Sequence, residues 1–338
     1  MIQAAIQKII GRQDLSRLEV VEVMNEIADG KATPGQVGAF LAGLRIKGET
    51  VEEITGAAEC VRARLNRVRV DHPIFIDTCG TGGDGRNTFN ISTAAAFVAA
   101  GAGVVVAKHG NRSVSSRCGS ADVLGALGVN IFLSREQVEK CIAEIRIGFL
   151  YAPHYHPVFK AVAEIRRELG VRTVFNLLGP LANPALTKHQ VMGVYDGHWV
   201  PILGQVLREL GAVHAFAVHG EGLDEISVSG TTQVAEVRDG SVRCYEIRPE
   251  ELGLSRWELS ELTGGDAAHN ASILRDVLGG QKGAPRDAVL ANAAAALVVG
   301  QAAATLLEGI HLAADSIDRG AGLERLAALV RFGKEHSA

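Results

Sequence analysis

Apolar residues recur at helical spacing through Ile2–Ile10, Ser16–Asp29, Thr33–Ile46 and Thr50–Leu65, which predicts four amphipathic helices and no strand in the first 70 residues. Their starts carry capping chemistry: Ser16 with Glu19, Thr50 with Glu53, and Thr33 ahead of Pro34 at the first helical position. Gly11, Gly30 and Gly48 supply the stops. The pattern changes at Pro73. Ile74–Thr78 is a short apolar run entering a Gly-rich loop, followed by a helical stretch near Ser92–Ala100, a second buried run at Gly103–Ala107 and a helix near Ser120–Leu127. Gln190–Tyr195 and His214–His219 read as further strands on either side of a helix at Val200–Gly211. Ile226–Val228, Thr232–Arg238 and Val242–Ile247 read as antiparallel strands, with Asp239-Gly240 as a hairpin turn. Helices return near Ala267–Leu278, Arg286–Gly300 and Ala303–Arg319. The expected class is therefore α/β: a small all-helical domain, 1–72, and a larger α/β domain, 73–338, whose central, mostly parallel sheet is flanked by helices. No internal repeat interrupts this division.

Composition narrows the function classes. The 338 residues are 47% hydrophobic and 21% charged, a globular balance with ample material for a core. Aromatics are only 5% and the net charge is −4, which speaks against a nucleic-acid binder, whether built on stacking platforms or on a basic field. The five cysteines, Cys60, Cys79, Cys118, Cys141 and Cys244, are odd in number and form no C-x-x-C pair. With no leader pattern before them, a reduced cytoplasm is expected. The Ala-rich run at Ala291–Val299 is too short to cross a membrane.

The chemistry concentrates in three loops. Asp77-Thr-Cys-Gly80-Thr-Gly-Gly83-Asp84 continues through Thr88 and Asn90 to Ser92 and Thr93 at a helix start. Glycines let backbone amides converge on an anion, and a helix N-terminus adds free N–H groups and a positive dipole end. A lone G-x-G-G would be an ordinary turn; four glycines in six residues after a buried strand point to phosphate, in neither the dinucleotide nor the P-loop spacing. The second loop, Lys108-His-Gly-Asn111-Arg112-Ser113-Val-Ser115-Ser116 with Ser120 beyond, follows the next strand. Lys108 and Arg112 bring charge, the serines bring hydroxyls, and Ser120 is placed to cap a helix. Alone it would read as a solvated basic loop; beside the first it suits a ligand with two separated phosphate groups.

Asp224-Glu225 is the third element. An exposed acidic dipeptide is ordinarily just solvated, but among phosphate loops it suggests Mg2+, which takes one or two carboxylates plus phosphate oxygens. His154 and His156 lack a ligand-spaced partner and read as a packed loop, and Cys79 lacks a base that would make it a nucleophile. Arg166 and Arg167 are adjacent on a helix, about 100° apart, so only one can face a site.

Asp77–Thr93, Lys108–Asp122, Phe149–Pro157, Arg166–Pro184 and Gly222–Ser227 together resemble the anthranilate phosphoribosyltransferase family of tryptophan biosynthesis. Gln36–Phe40, Lys47–Thr50, Glu53–Gly56 and the Asn292-Ala-Ala-Ala helix extend the resemblance over nearly the whole chain. It implies a cleft between the two domains, the helical one taking in about 166–189 and building a homodimer. It implies transfer of the 5-phosphoribosyl group from phosphoribosyl pyrophosphate to the amine of anthranilate. The sugar phosphate would be held by Gly80, Gly83, Asp84, Thr88, Asn90, Ile91, Ser92, Thr93, Lys108, His109, Gly110, Asn111, Arg112, Ser113, Val114, Ser115, Ser116 and Ser120, with Lys108 acting electrostatically. Anthranilate would meet Gly80, Asn111 and Arg166, and Mg2+ would lie near Ser92, Asp224 and Glu225. No acid–base or nucleophilic residue is required. One departure is Gly125, where the family leads one to expect Glu; it lies at no implied ligand position. A pyrimidine nucleoside phosphorylase and a non-catalytic nucleic-acid-binding paralogue are the competing readings; the second loop speaks against the first, the net charge and the acidic pair against the second.

Overall fold

The computed structural model describes residues 1–113 and 117–336; Val114, Ser115 and Ser116 of the second loop lie outside the described residues. All four N-terminal helices form: α1 (Ile2–Ile10), α2 (Arg17–Ala28), α3 (Pro34–Lys47) and α4 (Val51–Ala63). Ser16, Thr33 and Thr50 each make a reciprocal capping box, with Glu19, Gln36 and Glu53. Glu53 does more than cap. Its Oε1 accepts from the Leu15 N–H at 2.9 Å and its Oε2 accepts from Lys47 Nζ at 2.9 Å, so one buried carboxylate ties α4 to the α1–α2 turn and to α3. Two later helices, α8 (Pro157–Leu169) and α9 (Phe175–Leu181), complete this helical core through Val162, Phe175 and Leu178 packed with Phe40 and Leu41.

Seven strands form one sheet in the order β3-β2-β1-β4-β5-β6-β7, comprising β1 (Phe75–Gly80), β2 (Val105–Gly110), β3 (Ile147–Tyr151), β4 (His189–Gly193), β5 (His214–Gly220), β6 (Thr232–Arg238) and β7 (Ser241–Ile247). The first five are parallel; β6 and β7 are antiparallel, joined at Asp239-Gly240 with φ of 51° and 76°, as a primed hairpin turn requires. One face of the sheet is covered by α10 (Trp199–Glu209), whose core is continuous with that of the helical region. The other face carries α5 (Ile91–Gly101), α6 (Ser120–Ala126), α7 (Arg135–Ile145), α11 (Ala267–Leu278), α12 (Ala284–Val299), α13 (Leu306–Asp318) and α14 (Ala321–Glu335). Runs of alanine, Ala94–Ala96 in α5 and Ala293–Ala296 in α12, are fully buried and let these two helices approach one another and the sheet closely.

Three expectations change. Ile226–Val228 is not a strand. Side chains satisfy much of its backbone instead: Ile226 N–H donates to Asn292 Oδ1 at 2.9 Å, Asn292 Nδ2 donates to Ile226 O at 2.9 Å, and Ser227 N–H donates to Thr232 Oγ1 at 3.0 Å, while Val228 O accepts from the Trp257 N–H at 2.9 Å. The apolar residues there are buried by tertiary packing, which mimics a strand's hydrophobicity. Second, β3 and α7 form between residues 134 and 152, where the pattern gave no element; β3 is a five-residue edge strand entered through Arg146 at φ 63°. Third, Ser120 does not cap α6. Gly119 occupies the cap position, its N–H donating to Asp122 Oδ2 at 3.0 Å.

Candidate active site

The chain leaves β1 to build β2 and β3 on one side and returns to build β4 and β5 on the other, so the strand order reverses between β1 and β4. Ligands of open α/β sheets sit at the carboxyl ends of strands at such a reversal. The Gly-rich loop after β1 lies there and is held at several points. Thr81 N–H donates to Gly193 O at 2.9 Å, Tyr195 N–H donates to Thr81 Oγ1 at 3.0 Å, and Gly82 N–H donates to Asp224 Oδ2 at 2.7 Å. The Arg172 guanidinium donates to Gly83 O. Asp84 Oδ1 accepts from Arg86 N–H at 3.0 Å, and the Asp84 N–H itself has no partner among the described residues.

Asp224 is brought against this loop by two glycines. A Cβ on Gly80 would lie 2.2 Å from Asp224 Oδ2, and one on Gly193 only 1.6 Å from Asp224 O, so neither strand end tolerates a side chain with this loop in place. Burial, then the adjacent Asp84 carboxyl, push the Asp224 pKa up. Burial, then Asp224, do the same to Glu225, whose Oε1 accepts from the Ser92 N–H at 3.0 Å and so occupies the N-terminus of α5. Three carboxyl groups, Asp84, Asp224 and Glu225, thus repel one another in one place. Among the described residues no closed cage of three or more His, Cys, Asp or Glu side chains exists. Mg2+ does not need one: it keeps waters and takes one or two carboxylates with phosphate oxygens, and a dication relieves this like-charge crowding. The donor set fits Mg2+.

The other predicted residues separate into those that face the site and those committed elsewhere. Lys108 is 3% exposed and donates to the Thr78 carbonyl beneath the first loop. Burial lowers its pKa, with Asp77, Cys79 and Glu225 opposing. Ile91 and Thr93 are buried; the Ile91 N–H donates to Phe89 O at 2.8 Å, while Thr93 Oγ1 has no partner among the described residues. The Asn90 side chain donates to Cys118 O at 3.2 Å and accepts from Asn270 Nδ2 at 3.0 Å. Thr88 bridges Thr263 through its backbone. In the second loop Asp122 is the organiser: it pairs with Arg112 at 3.2 Å and accepts from the Ser113 and Gly119 N–H groups at 2.9 and 3.0 Å. Asn111 is exposed beside it; its Oδ1 accepts from Arg112 N–H and its carbonyl accepts from Ser120 Oγ. Gly110 closes β2 half-buried.

Of the two arginines on α8, Arg166 is the one turned inward. It lies 5.8 Å from the Phe159 ring centre and 5.5 Å from that of Phe175, its pKa is lowered by burial, and it has no acidic partner among the described residues. Arg167 is exposed on Glu164. Phe159 also packs against His156, whose Nε2 lies 2.9 Å from His109 Nε2. Burial, reinforced at His109 by its neighbour, lowers both imidazole pKa values, that of His156 to about 4. Cys79 is buried with its thiol pushed well above the ordinary range, in keeping with no nucleophilic role. Sequence reasoning did not single out Arg172, Tyr195 or Asn292. Arg172 and Asn292 lie in stretches that carry the family resemblance, but nothing local marks them as touching the loops.

The family described as "Glycosyl transferase family, a/b domain" matches residues 72–323, and "Glycosyl transferase family, helical bundle domain" matches residues 3–65. An anthranilate phosphoribosyltransferase of Anaeromyxobacter sp. (strain K) is 68% identical over 330 residues, 98% of each chain. The crystal structure of anthranilate phosphoribosyltransferase from Thermus thermophilus superposes with a TM-score of 0.93 at 42% identity, covering 98% of this chain and 99% of that one. The Saccharomyces cerevisiae enzyme in complex with PRPP and Mg superposes with a TM-score of 0.90 at 30% identity, covering 99% and 98%.

Proposed function

The chain belongs to the anthranilate phosphoribosyltransferase family, and from that premise we propose how its own residues carry the reaction. It transfers the 5-phosphoribosyl group from phosphoribosyl pyrophosphate to the amine of anthranilate, giving N-(5-phosphoribosyl)anthranilate and pyrophosphate, in L-tryptophan biosynthesis. The observation that supports our assignment of the site most directly is the meeting of Asp84, Asp224 and Glu225 with the Gly80–Asp84 amides at the β1–β4 reversal.

In this reading the Gly-rich loop takes the pyrophosphate end of the substrate together with the Lys108–Ser116 loop, and Lys108 adds buried positive charge behind the first. Asp224 and Glu225, with Ser92 beside them, hold Mg2+, which when bound supplies charge neutralisation for the departing pyrophosphate. Arg166, with no acidic partner among the described residues and set between two aromatic rings, takes the anthranilate carboxylate; Asn111 and Gly80 complete that end. The amine nitrogen forms a bond to C1′ as the bond to pyrophosphate breaks, with inversion, and the nitrogen then gives up its extra proton to the released pyrophosphate or to water. A neutral aromatic amine is nucleophilic without prior deprotonation, so positioning and charge stabilisation suffice. The helical part, 1–72 with 166–189, and the α/β part, 73–338, would close on the substrates and exclude water. Ile10 and Ile46, each 77% exposed, and Leu18, 66% exposed, support a homodimer through the helical part, which sedimentation would test. Among the described residues no helix is long and apolar enough to cross a membrane, and a cytoplasmic location is proposed with it.

A fluorescence assay following anthranilate consumption with phosphoribosyl pyrophosphate tests the whole. Activity that appears with Mg2+ and disappears with a chelator is expected; no consumption by folded protein overturns the reading.

A further inference from the structure

Arg172 takes none of the proposed ligand contacts, yet it touches the Gly-rich loop from outside. It lies in the turn between α8 and α9, exposed and without an ion pair among the described residues. Its guanidinium sits 4.2 Å from the centre of the Tyr195 ring and donates to the Gly83 carbonyl. Tyr195 is a firm platform: it is 8% exposed, and its own N–H donates to Thr81 Oγ1 at 3.0 Å. Glu49, in the α3–α4 turn, is 6% exposed with Oε2 unpartnered among the described residues, and it acts electrostatically on Tyr195. A planar cation laid on an aromatic face is fixed in orientation as well as in place.

What Arg172 holds is the direction of a peptide unit. The Gly83–Asp84 bond is trans, since the described chain has no cis bonds, so the Gly83 C=O and the Asp84 N–H point to opposite sides. With the carbonyl turned toward Arg172, the Asp84 N–H is turned the other way, and it is the amide that has no partner among the described residues. Gly82 and Gly83 sit at φ of 64° and 77°; glycines cross between such conformations and their mirror regions at little cost, so the loop alone does not fix this peptide. We propose that Arg172, stacked on Tyr195, is a positioning residue that sets the Asp84 amide to donate to the pyrophosphate of phosphoribosyl pyrophosphate. This rests on the assignment of the Gly-rich loop to that substrate.

Three variants test it: Arg172→Ala, Arg172→Lys and, as a control, Arg167→Ala, whose side chain is exposed on Glu164. A misdirected donor to a charged ligand is worth roughly ten- to a hundredfold in affinity. Arg172→Ala is expected to raise the KM for phosphoribosyl pyrophosphate by that factor while leaving the anthranilate KM within about twofold, with Arg172→Lys in between and Arg167→Ala unchanged. Hydrogen exchange on the ligand-free protein is expected to show faster exchange in residues 80–86 of Arg172→Ala and no change in the core strands. An unchanged KM for phosphoribosyl pyrophosphate in an otherwise active enzyme overturns the inference, as does an equal rise in both KM values with a general loss of stability. Inactivity of the unsubstituted protein sinks instead the functional reading, and the exchange experiment still reports on the clamp.

Discussion

Gly193→Ala concentrates much of this structure's logic in one methyl group. The new Cβ would lie 1.6 Å from Asp224 O, 2.5 Å from Asp224 C and 3.3 Å from its Cα. These are backbone atoms, so no rotamer change relieves the clash. Moving from 1.6 Å to 3.0 Å, the shortest separation real Cβ atoms show, requires a retreat of about 1.4 Å. Gly193 cannot supply it, because β4 is paired on both sides, with Gly80 across β1 and Val218 across β5. The Asp224-Glu225 loop must move instead. Overpacking of this kind costs about 1–3 kcal/mol. Loss of the 2.7 Å bond from the Gly82 N–H to Asp224 Oδ2 adds about 0.5–1.5 kcal/mol, the ordinary net worth of a hydrogen bond. A fall in Tm of several degrees is expected by calorimetry. Catalysis should suffer more, because a displacement of about 1 Å in a positioning group can cost roughly a hundredfold in rate. Steady-state fluorescence assays across a Mg2+ titration should show kcat/KM down by about that factor and the Mg2+ requirement shifted upward. Wild-type kcat/KM with an unshifted Mg2+ dependence would falsify the claim that Gly193 is small so that Asp224 can reach the site.

Arg166→Ala is expected to raise the anthranilate KM by about ten- to a hundredfold and to leave that of phosphoribosyl pyrophosphate nearly unchanged; equal effects on both would remove Arg166 from the acceptor end. Asn292→Ala strips both backbone groups of Ile226 of their partners, and denaturant unfolding should show a loss of about 2–4 kcal/mol with a raised Mg2+ requirement, since Ile226 directly follows the acidic pair. A loss of stability with normal Mg2+ dependence would show that Asn292 serves the core alone. Gly125→Ala meets nothing within 4 Å on the exposed side of α6 at an ordinary φ, so it should gain about 0.5–1 kcal/mol with activity unchanged. A destabilised or less active Gly125→Ala would mean that this departure from the family pattern has a role the fold does not reveal.

What was legible along the chain was whatever is decided locally. The capping boxes at Ser16 and Thr50 form because donor and acceptor are three residues apart, and the Asp239-Gly240 turn forms because its two residues accept positive φ. The Gly-rich loop after β1 suggested an anion site for the same reason: the permissive backbone is a property of its own glycines. The pairing of Asp224 with Glu225 hinted at a cation, although its proximity to Asp84 could not be read from spacing.

Only the folded chain decided what each of those groups touches. Lys108 and Arg112 both read as phosphate ligands, but one lies buried against Thr78 and the other is paired with Asp122. The apolar run at Ile226–Val228 resembled a strand because burial and strand formation leave the same hydrophobic trace; Asn292, 66 residues away, made it a loop. The clamp from Arg172 to Gly83 spans 89 residues and crosses from the helical core to the sheet. Periodicity records which face of an element is buried, and loop composition records which backbone shapes are allowed. Neither records what lies across a gap between elements, and the contacts of Asp224 with Gly82, of Asn292 with Ile226 and of Arg172 with Gly83 are all set there.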